Sequence, residues 1–373
     1  MKYCSRCVLP DTRPGITIGA DGICSACKGH DDKEAHIDWP ARAAAFAELV
    51  ADARARSTGY DCIVPVSGGK DSWYQVIKAQ EHGLKVLAVT WRTPARTAIG
   101  QRNLDNMIAK LGVDHIDYTI DPDVERRFMK AAYEKLGATG LPMHMALFAI
   151  PIRLAVQLRI PLILWGENPQ LEYGGSELER LATRLDTDWL AKHGCLQSTN
   201  WRDWVGVEGL TEQNLVAYRI PESPDYEVRS VFLGAFFKWS SFENTRIATA
   251  RGFEVDGQTR TGTWEFADID CDFIALHHYL KWHKFGITRA FDTLSVQIRT
   301  GMTTRAEAIE TIRRLGPQIP QDDIARFCAF VGEPERWFND VAERFRNHGI
   351  WKRDGNTWKI PGFLIEGWDW EHN

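Results

Sequence analysis

The sequence lacks a long apolar run, and none approaches the roughly 18–20 residues that a membrane-spanning helix needs. Its first residues, Met1 to Cys4, also lack the charged and then apolar pattern of a signal peptide. There is no basic excess either, since 45 lysines and arginines stand against 50 aspartates and glutamates, for a formal net charge of −5. A protein that grips a long phosphate backbone usually shows such an excess. These absences favour a cytoplasmic protein that binds neither a membrane nor a nucleic acid.

The cysteines do not form the pattern of a secreted, disulfide-stabilised domain. A chain of 373 residues with only eight cysteines is too long and too sparse in cysteine for such a framework. Its composition, 44% hydrophobic and 25% charged, is that of an ordinary globular protein with two or three structural units.

Four of the cysteines lie in two close pairs near the N-terminus. Cys4-x2-Cys7 and Cys24-x2-Cys27 have the spacing of a structural zinc knuckle, which we predict for residues 1–38. Four thiolates also suit an iron–sulfur cluster, and reduced cysteines without a metal are a further alternative. Since four ligands leave no open position, a metal here is expected to be structural.

Short apolar runs alternate with helical patterns through the next part of the chain. Runs over residues 61–66, 85–91, 114–120 and 160–166 predict strands, and helical patterns lie between them. This alternation predicts an α/β fold with a doubly wound parallel sheet covered on both faces. We assign it to residues 39–260, with a tryptophan-rich insertion after residue 170, and we expect a helical region over 261–373.

A glycine-containing loop lies between the first predicted strand and its helix. Its sequence runs from Ser67 to Ser72, with Gly68 and Gly69 in the middle. The glycines permit positive φ and let the backbone approach phosphate groups closely. Backbone N–H groups and the start of the following helix then attract an anion. A glycine turn that binds nothing is the structural alternative.

The side chains of the loop suit a nucleotide phosphate. Ser67 and Ser72 can donate hydroxyl hydrogen bonds, and Lys70 supplies a positive charge. Asp71 can hold Mg²⁺ or orient the loop, because this hard cation prefers oxygen ligands. The spacing of a Walker A loop is absent.

The hexapeptide resembles the SGGxDS signature of the PP-loop ATP pyrophosphatases, a class that includes GMP synthetase, argininosuccinate synthetase, asparagine synthetase and several tRNA thiolases. The resemblance implies a PP-loop fold and cleavage of ATP between the α- and β-phosphates, with the loop holding pyrophosphate. A substrate oxygen would become an AMP ester. The resemblance also implies that the end of the next strand, with Val89 and Trp91, frames the adenine.

Other segments resemble the N-acetyl sugar amidotransferases of bacterial surface-polysaccharide and flagellin-glycan synthesis. The segments are CSRCVLPDTRPGI with GICSAC, VPVSGGKDS, WGENPQLEYGG and WHKFGITRAFDTLSVQIRTGMTTRAEAI. The resemblance implies conversion of an N-acetyl group on an acidic sugar, or its nucleotide form, to an acetamidino group. ATP would adenylylate the acetamido oxygen, ammonia would attack the carbon, and AMP would leave.

Polar residues follow the fourth predicted strand, at the edge where parallel sheets bind ligands. Glu167 is a candidate for orienting ammonia or the reacting amide, and Asn168 for hydrogen bonding to it, although Asn-Pro also favours a turn that caps a helix. Glu172 is a neighbouring candidate for binding the substrate. Basic side chains in the later segment would bind an anionic sugar, and we select Lys281, Arg289 and Arg299.

The source of ammonia is not evident in the sequence. A glutaminase needs a cysteine at an elbow turn or at the N-terminus. Cys195, in HGCLQ, lacks the flanking glycine pattern of an elbow turn, and Cys4 is assigned to the metal. We therefore expect a separate glutaminase or ammonia-channel subunit. Two alternatives stay open: a PP-loop tRNA thiolase, which the charge disfavours, and a non-catalytic nucleotide-binding protein, which the intact loop disfavours.

Overall fold

The sheet at the centre of the fold has five parallel strands in the order β3-β2-β1-β4-β5. The structure, a computed structural model, describes residues 1–173, 183–222 and 225–371. The α/β fold and its parallel sheet are as predicted. The strands are β1 (Cys62–Pro65), β2 (Val86–Trp91), β3 (Asp114–Tyr118), β4 (Leu162–Trp165) and β5 (Arg229–Phe232).

The three inner strands are buried along their whole length. Every residue of β1, β2 and β4 is buried, whereas β3 at one edge is largely half-buried. Continuous apolar runs such as CIVP and LILW suit strands that have helices on both faces. This burial explains why these strands could be recognised in the sequence.

The fifth strand comes from the predicted insertion. Its sequence, RSVF, pairs in parallel with β4, so that Leu162 lies opposite Arg229 and Trp165 opposite Phe232. The insertion therefore extends the sheet by one strand. Residues 174–182 of this region, which include the last two glycines of WGENPQLEYGG, lie outside the described residues, as do residues 223–224.

Helices connect the strands and continue beyond the sheet. Those before residue 200 are α1 (Ser25–His36), α2 (Trp39–Arg56), α3 (Lys70–Glu81), α4 (Ala98–Leu111), α5 (Pro122–Leu136), α6 (Leu141–Gln157), α7 (Pro169–Tyr173) and α8 (Thr187–His193). Those after it are α9 (Ser241–Arg251), α10 (Ile274–Phe285), α11 (Arg289–Arg299), α12 (Arg305–Leu315), α13 (Gln321–Val331) and α14 (Glu335–Arg344). Short 3₁₀ helices span Trp201–Trp204, Val207–Gly209, Asn214–Tyr218 and Leu233–Ala235, and a hairpin pairs β6 (Lys352–Asp354) with β7 (Thr357–Lys359). No helix among the described residues has both the length and the apolar character needed to cross a membrane.

The C-terminal region contributes to two hydrophobic cores. Helices α13 and α14 pack into the core around the sheet, where the Tyr133 hydroxyl donates to the Phe338 carbonyl oxygen at 2.6 Å. Trp282, Phe291 and Trp368 instead pack in a second core with the four N-terminal cysteines. The N-terminal segment is thus joined to the C-terminal region by shared packing. A capping box formed by Thr304 and Glu307 starts α12.

Candidate functional site

The loop between β1 and α3 turns sharply at Gly68. This residue has a φ of +91°, and a Cβ atom added to it would lie 2.5 Å from the carbonyl oxygen of Gly100. Only glycine fits without displacing backbone. Gly69 has an extended conformation and precedes the first residue of α3, Lys70. The loop therefore leads directly into the positive end of a helix.

Hydrogen bonds within the loop fix its two serines. The Ser67 N–H donates to Ser72 Oγ at 2.9 Å, and the Gly69 N–H donates to Ser67 Oγ at 3.3 Å. Lys70 is buried, and its Nζ lies 2.5 Å from a carboxylate oxygen of Asp71. The loop thus holds a desolvated cation, a carboxylate and two hydroxyls at one helix terminus, a combination suited to phosphates and their metal ion.

A cavity of about 230 Å³ opens over this loop. The loop forms one side, apart from Gly68, and residues that follow β4 and begin α9 form another. The C-terminal region forms the opposite side. The residues beyond the loop that line the cavity are Glu167, Tyr173, Ser241, Trp264, Phe266, Ala267, Asp268, Ile269, Asp270 and Arg289.

Two carboxylates from the C-terminal region face the cavity, and their pKa values are shifted in opposite directions. Asp268 lies 3.4 Å from Arg289 and 3.3 Å from His278. Burial acts to raise the pKa of Asp268. The electrostatic effects of His278 and Arg289 outweigh burial and hold that pKa well below its usual range. Burial raises the pKa of Asp270, which lies beside Gly69. Asp268 is therefore paired with the cation Arg289, whereas the hydrogen-bond partner of Asp270 is the neutral hydroxyl of Ser67.

Mg²⁺ is held in many enzymes by one or two carboxylates and by phosphate oxygens of the substrate. Asp71 and Asp270 both line the cavity beside the loop that would hold the phosphates. Their chemistry fits this cation. Asp71 also lies close to Asn244 of α9, whose Nδ2 is 3.4 Å from Oδ1.

Glu167 lies where the loop cavity meets a second cavity. Burial, and next the negative charge of Asp71, raise the pKa of Glu167 to about 7. A carboxyl group with such a pKa can accept or donate a proton near neutral pH. Asn168 is fully buried, and its Oδ1 accepts from the Gln170 N–H at 3.0 Å, which caps α7. The helix-capping alternative for Asn168 is thus observed, and a contact with the reacting amide stays a prediction.

The second cavity has a volume of about 330 Å³ and shares Glu167, Tyr173 and Ser241 with the first. It contains two of the predicted substrate-binding residues, Glu172 and Arg299. The other residues that line it are His30, Lys33, Glu34, Lys238, Trp239, Ser240, Phe242, Val296, Thr300 and Met302.

The other two predicted substrate-binding residues lie elsewhere. Arg289 lines the loop cavity, at the first position of α11. Lys281 is absent from the described lining of both cavities, and its Nζ lies 3.3 Å from Asp292. Asp292 is buried and also contacts Arg13 at 2.5 Å. Lys281 therefore belongs to a buried ion-pair cluster behind the site.

The end of β2 lies in the core. Val89 pairs with Pro65 on one side and Ile116 on the other, and both Val89 and Trp91 are buried. The Trp91 indole donates to Glu125 at 2.6 Å. Among the described residues that line the loop cavity, neither Val89 nor Trp91 is found. Their contact with adenine stays a prediction.

The four N-terminal cysteines form a buried cluster whose sulfur atoms all lie within 4.8 Å of one another. The Sγ atoms of Cys4 and Cys27 are 4.0 Å apart, and those of Cys7 and Cys24 are 3.7 Å apart. A tetrahedral zinc with Zn–S bonds of about 2.3 Å separates its sulfurs by about 3.8 Å. The N–H groups of Cys7 and Cys24 donate to Cys4 Sγ. The cluster therefore fits a tetrahedral zinc with four thiolates.

Several residues of the site were missed by sequence analysis. Asp268 and Asp270 stand in the run DIDCD, inside the region predicted to be helical, but α10 begins only at Ile274. The density of acidic residues in that run was the available signal. Lys33 and Tyr173 carry no local signal, because their positions depend on contacts between distant segments.

A comparison with known protein families finds a match in the C-terminal region. Residues 252–363 match a family model described as "LPS biosynthesis protein WbpG-like, C-terminal domain". This range includes Asp268, Asp270, Arg289 and Arg299 of the two cavities. A search of curated protein sequences finds no match.

Among solved structures, that of an NMN synthetase from Francisella tularensis is similar, with 11% sequence identity and a TM-score of 0.37. The similarity covers 74% of this chain and 92% of that chain. So distant a likeness gives no indication of function.

Proposed function

We propose that this protein is a PP-loop, ATP-dependent amidotransferase that converts an N-acetyl group of an acidic sugar, or of its nucleotide form, into an acetamidino group. The observation that carries the proposal is the loop cavity, where Lys70 and Asp71 at a helix terminus face Glu167 and Arg289. The WbpG-like C-terminal match, whose description names lipopolysaccharide biosynthesis, supports a substrate from bacterial surface-sugar synthesis. O-antigen sugars, including nonulosonic acids, are therefore the substrates to test first, in a cytoplasmic reaction.

The reaction has two steps. The acetamido oxygen attacks the α-phosphorus of ATP, the bond to the β-phosphate breaks, and pyrophosphate leaves. Ammonia then attacks the activated carbon, and the C–O bond breaks so that AMP carries away the former amide oxygen. One proton is lost from the attacking nitrogen, and the amidine remains.

The residues of the loop cavity suit these steps. Ser67, Ser72 and the backbone around Gly69 would bind the departing pyrophosphate, with Lys70 neutralising its charge. Arg289 is held by Asp268 and can contact a second anionic group. Glu167 would take the proton from the attacking nitrogen, since its pKa near 7 suits a general base at neutral pH.

Two metal ions belong to the proposal. Asp71 and Asp270 would hold Mg²⁺, which neutralises charge on the ATP phosphates. Cys4, Cys7, Cys24 and Cys27 would hold a structural Zn²⁺ that maintains the fold of the N-terminal segment.

Ammonia would come from a separate glutaminase. Cys195, the exposed cysteine among the eight, lies at φ +57° in the segment HGCLQ, which has a glycine before the cysteine but lacks the flanking glycine pattern of an elbow turn. A glutaminase subunit, with or without an ammonia-channel subunit, would deliver ammonia to the cavity.

A tRNA thiolase is the main enzymatic alternative. Such an enzyme commonly uses a reactive cysteine near its PP-loop. The described residues that line the two cavities include no cysteine. Burial raises the pKa of Cys62 and Cys271, the thiols on the segments around the loop, which disfavours their thiolates. This observation favours the amidotransferase.

The test combines ATP, Mg²⁺ and an ammonium salt with a panel of N-acetylated sugar acids and their nucleotide forms. ³¹P NMR follows the phosphates, and mass spectrometry follows the sugar. The proposal predicts AMP and pyrophosphate with one acidic sugar, and a product whose mass falls by the difference between O and NH. Turnover with tRNA and a sulfur donor, but with no sugar of the panel, would instead identify a thiolase.

A further inference from the structure

The second cavity has an arginine whose charge lacks a direct partner. Arg299 is buried, and its Nη2 donates to the Glu172 carbonyl oxygen at 3.3 Å. Its Nη1 has no hydrogen-bond partner among the residues that the structure describes. A buried guanidinium nitrogen without a hydrogen-bond partner costs free energy, because it has lost its hydration. A ligand anion that accepted a hydrogen bond from this nitrogen would offset that cost.

The two lysines of this cavity already have carboxylate partners. Lys33 Nζ lies 2.6 Å from Glu172, and Lys238 Nζ lies 2.5 Å from Glu34. Arg299 has no ion pair with a described residue, and its only hydrogen bond to a described residue is to a neutral backbone carbonyl. The cavity therefore has about one positive charge to offer a ligand, which suits one carboxylate better than a phosphate dianion.

The rest of the cavity offers apolar and hydroxyl groups. An aromatic and aliphatic surface is formed by Trp239, Phe242, Val296 and Met302, while Ser240, Ser241 and Thr300 supply hydroxyls. A small ring with one apolar face and several polar substituents fits such a surface. The volume of about 330 Å³ is at the lower end of the range for small-molecule sites.

We propose that the second cavity binds a sugar-sized carboxylate, with the carboxylate on Arg299 and the apolar face of its ring against Trp239 and Phe242. Glu167 and Tyr173 line both cavities, so one end of the bound molecule would lie beside the phosphate loop. The identification of this molecule as the acceptor of the reaction rests on the proposed function. The recognition of the carboxylate by Arg299 does not depend on the proposed function.

The experiment measures binding without ATP, so that it is independent of catalysis. The probes are N-acetylneuraminic acid and its methyl ester, which differ in the negative charge, and affinity is measured by titration calorimetry or ligand-observed NMR. The variants are Arg299→Gln and, as a control with the same charge change, Arg246→Gln, which alters an exposed residue of α9. Lys238→Glu reverses a half-exposed charge at the rim of the cavity and replaces no core residue.

Wild-type protein and Arg246→Gln should bind the acid about tenfold more tightly than the ester, the effect of one charge-assisted hydrogen bond. Arg299→Gln should abolish that preference, and Lys238→Glu should weaken binding of the acid alone. Equal binding of acid and ester by the wild type, no binding of either, or a preference that survives in a folded Arg299→Gln would overturn the proposal. If the preference is found but no sugar supports pyrophosphate release, the proposed function fails while this site stands.

Discussion

The buried Lys33 and the partly buried Glu172 form an ion pair, with Nζ 2.6 Å from Oε1, that joins the N-terminal cysteine segment to the residues after β4. Lys33 lies on α1, which follows Cys24 directly and includes Cys27. The same Nζ also lies 3.3 Å from the Trp239 carbonyl oxygen. The segment that holds the cysteines thus also supports one side of the second cavity.

Removing this lysine should destabilise the protein. Lys33→Met leaves the partly buried carboxylate of Glu172 without its partner, and we expect a loss of about 2 kcal/mol in the free energy of unfolding. Lys238→Met is the matched control, because it breaks the half-exposed pair with Glu34 and should cost about 1 kcal/mol or less. Chemical denaturation measures both. Equal losses for the two variants would contradict the structural role assigned to Lys33.

A methyl group at Gly68 should impair nucleotide binding. Gly68→Ala places a Cβ atom 2.5 Å from the Gly100 carbonyl oxygen at a φ of +91°, so the loop must move. We expect at least about tenfold weaker binding of ATP, measured by calorimetry. Gly59→Ala is the control, since its added Cβ meets no atom within 4 Å. Unchanged ATP affinity in Gly68→Ala would argue against phosphate binding by this loop.

The cysteine cluster should retain zinc through purification. We expect about one zinc per chain by elemental analysis, and loss of that zinc in Cys7→Ser. Because Trp282 and Trp368 share a core with the cysteines, removal of the metal should alter the near-ultraviolet circular dichroism. Cys195→Ser, at an exposed position, should keep the zinc. Iron with acid-labile sulfide would identify an iron–sulfur cluster instead.

Activity should depend on the ionisation of Glu167. Its pKa is raised to about 7, so the proton-accepting carboxylate is lost as the pH falls through that value. With free ammonia held constant, kcat/KM should therefore rise with pH through about 7, and Glu167→Gln should lower it by about 10² or more. Glu48→Gln, an exposed substitution on α2, should keep the wild-type profile. A rising limb that persists in Glu167→Gln would assign the proton transfer to another group.

Local sequence was sufficient for much of the fold. The inner strands β1, β2 and β4 are continuous apolar runs, because both of their faces are covered. The edge strand β5 was not predicted, since RSVF is short and its first two residues are only half-buried. Pairing with β4, rather than its own sequence, determines its conformation.

The site could be predicted from the sequence only where its functional residues are neighbours in the chain. The loop from Ser67 to Ser72 carries its function in consecutive residues. Asp270 and Lys33 reach the two cavities from segments far along the chain, and such contacts leave no periodic pattern. Lys281 was selected for its charge alone, and its buried partner Asp292 could not be foreseen.

The most direct test of the central claim follows the acetamido oxygen. The acceptor sugar is prepared with oxygen-18 in its N-acetyl group, and AMP is isolated after turnover with ATP and ammonia. Adenylylation of that oxygen predicts AMP that carries the label in its phosphate, together with unlabelled pyrophosphate, and no turnover in Lys70→Ala. Unlabelled AMP, or formation of ADP and phosphate, would contradict the claim.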